Sequence, residues 1–215
     1  MTLDVVVLTK SPLAGRVKTR LAADIGVHEA TTLHTAMVWE TLTRARRSGA
    51  HVRVSLAGAL NGAFASELRA ANFPVEAQAS GDLGRKLSHA LRHSGRQLAL
   101  GTDCVVFEPG WLASAASVHE PACLGPTDDG GYWAVGGATE SEALRALLFN
   151  RMVWSAPTVA QETERRLSAA GIPMRLLPRS YDIDTLADLQ RLAADPLCPA
   201  RIHECLQAIN VPSQH

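Results

Sequence analysis

The chain opens on a nearly continuous apolar run, Leu3-Asp4-Val5-Val6-Val7-Leu8-Thr9. β-Branched residues in such a run predict a strand buried on both faces, as found inside a parallel sheet. A loop holding Pro12 and Gly15 follows. Apolar positions then recur with helical period from about residue 28 to residue 47, where Ser48-Gly49 closes the pattern. Beyond it, strand and helix patterns alternate. Strands are predicted at 51–57, 74–78, 97–101, 122–125, 132–135 and 174–177. Helices are predicted at 63–71, after an Asp82 cap through Leu91, from Pro109, and at 141–148, 157–170, 186–194 and 201–209. The Pro212-Ser213-Gln214-His215 tail is expected to fray. Such alternation predicts an α/β fold with a mostly parallel sheet and right-handed crossovers. No repeat, low-complexity tract or long linker divides the chain, so one domain over 1–215 is expected.

Composition narrows the class. Lys+Arg and Asp+Glu are both 21, giving a formal net charge of zero, which argues against a nucleic-acid-coating role. No apolar run approaches the roughly 20 residues of a membrane span, and the start lacks a secretory signal pattern. Cys104, Cys123, Cys198 and Cys205 form neither a C-x-x-C pair nor a metal-finger spacing. Reduced thiols in a cytoplasmic protein are the expectation.

Ligands of open α/β sheets bind beyond the carboxyl ends of the strands, and three loops there carry charge. In the loop 10–20, Lys10, Arg16, Lys18 and Arg20 place four cations in eleven residues. Gly15 lets backbone approach a ligand and Pro12 stiffens the loop. Cations and free N–H groups there complement a diphosphate; the plain alternative is a solvated charge run. The segment lacks Walker A spacing. Asp103 ends the run Leu98-Ala99-Leu100-Gly101-Thr102, placed either to bind Mg²⁺ or Mn²⁺ beside phosphates or to cap the next helix. In Gly125-Pro126-Thr127-Asp128-Asp129-Gly130-Gly131-Tyr132-Trp133, acids, glycines and two aromatics form either a ligand-facing turn, with a ring to stack on base or sugar, or a plain hairpin. Two further stretches join them. Asp82 and Arg85 open a helix and either offer an anion site or simply cap it. Asp182 and Asp184 lie on one side of an extended segment and either complete the metal shell, or Asp184 or Thr185 merely caps the helix beyond.

In this order, Lys10-x-Pro12-x-x-Gly15-x-Val17-Lys18-Thr19-Arg20-Leu21, Gly81-Asp82-Leu83-Gly84-Arg85, Gly101-Thr102-Asp103-Cys104, Gly125-Pro126-x-x-Asp129-Gly130-Gly131-Tyr132 and Asp182-Ile183-Asp184-Thr185-x-x-Asp188-Leu189 resemble the bacterial DUF2064 family. That group is sometimes labelled arsenosugar-biosynthesis glycosyltransferases and resembles the nucleotide-diphospho-sugar transferase superfamily. The resemblance spans about residues 4–192, leaving a C-terminal helix and tail at 198–215. It implies a GT-A fold, a Rossmann-like three-layer α/β/α sandwich. It implies phosphate binding by Lys10, Arg16, Lys18 and Arg20 with Gly15, Asp82 and Arg85 nearby, and Mg²⁺ or Mn²⁺ on Asp103 with Asp182 or Asp184. Asp129, as acceptor base, and Gly130, Gly131 and Tyr132 would border the sugar or acceptor. The chain departs from the family's Asp-Cys-Pro at Asp103-Cys104-Val105, where a different turn is expected. A family-like Trp154-Ser155 pair places Trp154 in the core.

The function so implied is a metal-dependent glycosyltransferase taking a nucleotide or nucleotide-sugar donor and a small-molecule acceptor. Nucleotidyl transfer, releasing pyrophosphate from an NTP, needs the same apparatus. A non-catalytic nucleotide- or sugar-binding protein is the third reading.

Overall fold

The computed structural model describes residues 2–116 and 119–209; the 212–215 tail lies outside them. In chain order the elements are β1 (Asp4–Lys10), α1 (Thr19–Ile25), α2 (Val27–Arg47), β2 (His51–Ala57), α3 (Ala63–Ala70), β3 (Val75–Ala77), α4 (Leu83–Ala90), β4 (Gln97–Leu100), α5 (Pro109–Ala116), β5 (Ala122–Pro126), β6 (Tyr132–Gly137), α6 (Glu142–Phe149), α7 (Val159–Ala169), β7 (Met174–Leu176), α8 (Leu186–Ala194) and α9 (Ala200–Ile209). The strands form one sheet in the order β3-β2-β1-β4-β6-β5-β7. Pairs β1–β2, β1–β4, β2–β3 and β5–β7 are parallel, while β6 runs antiparallel to both its neighbours. The predicted mostly parallel sheet is therefore present, with one reversed strand inside it.

Alternation along the strands sorts side chains between two faces. Val5 and Val7 of β1, Val52, Val54 and Leu56 of β2, and Leu98 and Leu100 of β4 pack against α2, α3 and α5. Val6, Ala99, Leu124 and Val135 turn the other way, onto α4, α6 and α7. Both faces are covered, which is why β1 reads as an unbroken valine run. Val5, Val6 and Val7 are fully buried, each contributing roughly 1.5–3 kcal/mol.

A third apolar cluster positions the site. Leu21 of α1, Leu33 and Met37 of α2, Leu189 of α8 and Ile202 of α9 pack with Val105, Tyr181 and Ile183. Val105, standing where the family has proline, is thus a core residue of this cluster. The cluster anchors α1 and the segment 181–184 beside the ends of β1 and β4. Thr185, not Asp184, caps α8, in a reciprocal capping box with Asp188. Asp184 is left to face elsewhere. Among the described residues no helix is long and apolar enough to cross a membrane.

Two differences from the sequence pattern matter. The loop 10–20 ends in a helix, α1, that the pattern did not predict. Trp133 is 2% exposed, its ring stacked 5.0 Å from Phe107 with Nε1 donating to the Pro178 carbonyl at 3.1 Å. The ring belongs to the core and cannot stack on a ligand.

Candidate active site

The loops after β1 and β4 and the turn before β6 share one cavity of about 710 Å³, at the sheet end where α/β folds place ligands. Lys10, Lys18, Arg20, Asp103, Asp129, Gly131, Tyr132, Asp182 and Asp184 all line it. Gly15, Arg16, Gly130, Asp82 and Arg85 do not. Gly15 sits in a turn closed by the Arg16 N–H donating to Leu13 O at 2.9 Å, and Arg16 is exposed to solvent. Gly130 serves the wall indirectly: its φ is +86°, and an added Cβ would lie 1.7 Å from the Pro157 carbonyl oxygen. Only glycine lets these two backbones touch.

Asp82 and Arg85 lie away from this cavity. Asp82 caps α4, its carboxylate accepting from the Arg85 N–H at 2.8 Å, so the capping alternative is the one observed. Arg85 then faces a separate hollow with His89 and Arg145. The next residue, Lys86, reaches the main cavity beside Leu83 and Leu87, neighbours at helical spacing. Gly84 of the same motif has a packing role. A Cβ there would meet Phe149 O at 2.6 Å and the Trp154 ring at 2.9 Å, and Trp154 is half-buried on this cluster. Gly84→Ala should cost about 1–2 kcal/mol through forced repacking, read as a lower urea midpoint. An unchanged midpoint would show that the Trp154 segment yields freely.

Lys18 is the electrostatic centre. It caps α1 with left-handed backbone, φ 46° and ψ 42°, a conformation that costs a non-glycine residue roughly 1 kcal/mol or more. Its ammonium donates to Asp103 Oδ1, to Ile183 O at 2.6 Å and to Asp184 Oδ1 at 3.0 Å. Burial works against the Lys18 charge, but Asp103 and Asp184 outweigh it and hold its pKa above the ordinary lysine value. Burial likewise opposes ionisation of Asp103, and Lys18 outweighs it, keeping that carboxyl below its usual range. Asp103 is recessed within the fold yet keeps 52% of its side-chain surface open to the cavity. The capping role weighed for Asp103 is not the one observed, and Lys18, expected to hold phosphate, lines the cavity with its ammonium bonded to these three oxygens.

Among the described residues Asp182 has no such ion-pair partner. Burial, then the charges of Asp103, Asp129 and Asp184, push its pKa up to about 7, with Lys18 only partly offsetting them. Crowded carboxylates whose repulsion a cation would relieve, offering oxygen donors only, fit Mg²⁺ or Mn²⁺. Among the described residues no three such side chains yet converge as a coordination shell, and Lys18 stands between two of the candidates.

The turn before β6 is both a hairpin and a cavity wall. Asp129 Oδ1 accepts from Thr127 Oγ1 at 2.6 Å and from Gly131 N–H at 3.0 Å, fixing the carboxylate. Asp128 points away, paired with Arg191 at 2.8 Å. Tyr132 packs edge-on to Trp154, centroids 6.4 Å apart. Burial raises its phenol pKa, and its Oη finds no hydrogen-bond partner among the described residues. His34 of α2 also borders the cavity, bonded through Nε2 to Lys10 O at 3.2 Å. Its signal in the sequence is a histidine on the apolar face of a helix, in line with Ala30, Met37 and Val38.

The family model DUF2064, described as an uncharacterized protein conserved in bacteria, matches residues 41–156. No curated protein matches. Among solved structures, a Desulfovibrio desulfuricans G20 protein provisionally assigned as a nucleotide-diphospho-sugar transferase superposes with TM-score 0.83. It is 24% identical and the match covers 97% of each chain. The inositol-1-phosphate CTP transferase of T. maritima gives 0.56 at 12% identity, covering 100% of this chain and 98% of that one. Rv0371c of Mycobacterium tuberculosis H37Rv, in complex with manganese, gives 0.50 at 19% identity, covering 89% and 97%. These likenesses establish the GT-A-like, Rossmann-related α/β fold.

Proposed function

The chain belongs to the DUF2064 family, whose model covers more than half of its 215 residues, and on that premise we propose a divalent-cation-dependent transferase acting on a nucleotide-diphosphate sugar. The observation that carries the reading is one cavity lined by Lys10, Lys18 and Arg20 together with Asp103, Asp129, Asp182 and Asp184. Lys10 and Arg20 bind the diphosphate from the loop after β1. Asp103 and Asp182, with Asp184, hold Mg²⁺ or Mn²⁺, which when bound stabilises negative charge on the departing diphosphate. Asp129, its Oδ1 fixed by Thr127 and Gly131, takes the proton of the acceptor hydroxyl as that oxygen bonds to the anomeric carbon. The bond from that carbon to the diphosphate oxygen breaks, and nucleoside diphosphate leaves. Tyr132 and Gly131 border the sugar or acceptor. Gly130 shapes this wall through Pro157, while Gly15 and Arg16 shape the phosphate loop.

Incubation with a panel of sugar nucleotides, simple acceptors and Mn²⁺ should release nucleoside diphosphate, and EDTA should stop it. Pyrophosphate released from an NTP and a sugar phosphate, with no nucleoside diphosphate from any sugar nucleotide, would replace glycosyl by nucleotidyl transfer. Ligand-induced thermal stabilisation with neither product would favour a binding protein instead.

A further inference from the structure

We propose that Lys18 is a built-in counterion, occupying the cation position between Asp103 and Asp184 until a divalent metal displaces it toward the diphosphate. The inference rests on the cation site proposed above. An ammonium has three donors, and those of Lys18 are all taken, by Asp103 Oδ1, Ile183 O and Asp184 Oδ1. None is left for a phosphate. Those partners are hard oxygens, two of them carboxylate, which is the donor chemistry Mg²⁺ and Mn²⁺ select. One carboxylate oxygen cannot serve both cations at once, and the two positive charges repel each other.

The exposure pattern sets the order of events. Lys18 keeps 2% of its side-chain surface, whereas Asp103 keeps 52% and Asp184 43%. A cation entering from the cavity meets the acids first and the ammonium lies behind them. The other close ion pairs of the fold, such as Arg44 with Glu40 and Arg53 with Asp4, involve no residue of this cavity. Lys18 also stands at the N-cap of α1, on a four-carbon tether, so its ammonium can swing without unwinding a helix. Once freed, it joins Lys10 and Arg20 in the same cavity. Cation loading and diphosphate capture are then coupled through one side chain, and each favours the other.

Mn²⁺ titrations of the full chain, following the free-ion EPR signal, test this on wild type, Lys18→Met and Lys10→Met. Lys18→Met should bind Mn²⁺ about tenfold tighter than wild type, because no internal cation competes, and Lys10→Met by less than about threefold, since it removes equal charge but no carboxylate bond. Equal or weaker binding by Lys18→Met, or equal tightening by Lys10→Met, overturns the counterion role and leaves the cation site standing. No Mn²⁺ binding by any of the three at millimolar concentration overturns both. Wild type alone gives a second readout, should Lys18→Met not fold. With lysine labelled at ¹³Cε, Mg²⁺ should shift the one resonance whose ammonium protons exchange slowly. An unmoved resonance in protein that binds Mg²⁺ sinks the proposal.

Discussion

Asp103→Asn is expected to lower nucleoside diphosphate release by about a thousandfold, roughly 4 kcal/mol of barrier, in a protein that still folds. Asparagine keeps the shape and an oxygen that Lys18 can bond, while removing the charge that a divalent cation needs. The fold tolerates this because the backbone role is untouched: the Asp103 carbonyl accepts from the Ile183 N–H at 2.8 Å. Lys18 also retains Asp184 and the Ile183 carbonyl. Asp103 is half open to water but Lys18 is buried, so with two of its partners retained the stability cost should be about 1–3 kcal/mol. Product release and urea unfolding on the same preparation separate the two effects. Turnover within about threefold of wild type would remove Asp103 from the catalytic machinery.

Asp182→Asn should impair turnover and yet stabilise the metal-free protein at neutral and higher pH. The folded-state pKa of Asp182 is pushed up to about 7, against 3.8 for an unperturbed aspartate. Below about pH 4 both states are protonated and the group is neutral to stability. As pH rises toward 7 the unfolded chain ionises first, so the destabilisation grows with pH and is complete above about 7. Asparagine removes it. Because neighbouring carboxylates share the titration, a gain of about 2 kcal/mol, or about 4–8 °C in Tm, is expected at pH 8 in EDTA, vanishing near pH 4. Mn²⁺ should raise the wild-type Tm at pH 8 and do little for the variant. Parallel pH profiles of Tm for the two proteins would contradict the crowding of carboxylates around Asp182.

The sequence carried the frame of the molecule further than it carried the site. The valine run of β1, the stripe of α2 and the Thr185-x-x-Asp188 cap are local signals, and each element appears within a residue or two of its predicted bounds. The α1 helix was hidden because Leu21 and Ile25 alone supply its apolar spacing and its N-cap is a left-handed lysine whose side chain makes no capping bond to the helix. The loops that share the cavity were legible because topology fixes which strand ends face one way. What Lys18 binds was not, since its carboxylate partners lie 85 and 166 residues away in the chain. Lys86 lies just beyond the Gly81–Arg85 motif, and although the Asp82 cap is where it was expected, which of two adjacent side chains reaches the cavity is set by how α4 packs on the sheet.

The reversed strand β6 divides the cavity's construction in two. Parallel strands β1 and β4 supply the basic loop and Asp103, whereas the opposite wall, Asp129 to Tyr132, enters β6 from its beginning and leans on Pro157. A hairpin turn can gain or lose residues without altering the register of the parallel half. One wall is thus free to vary in length and chemistry while the other keeps its geometry. Proteins built on this plan can diversify one wall without redesigning the basic loop opposite it, and a graft of residues 127–131 together with 153–158 is the natural unit to exchange between relatives.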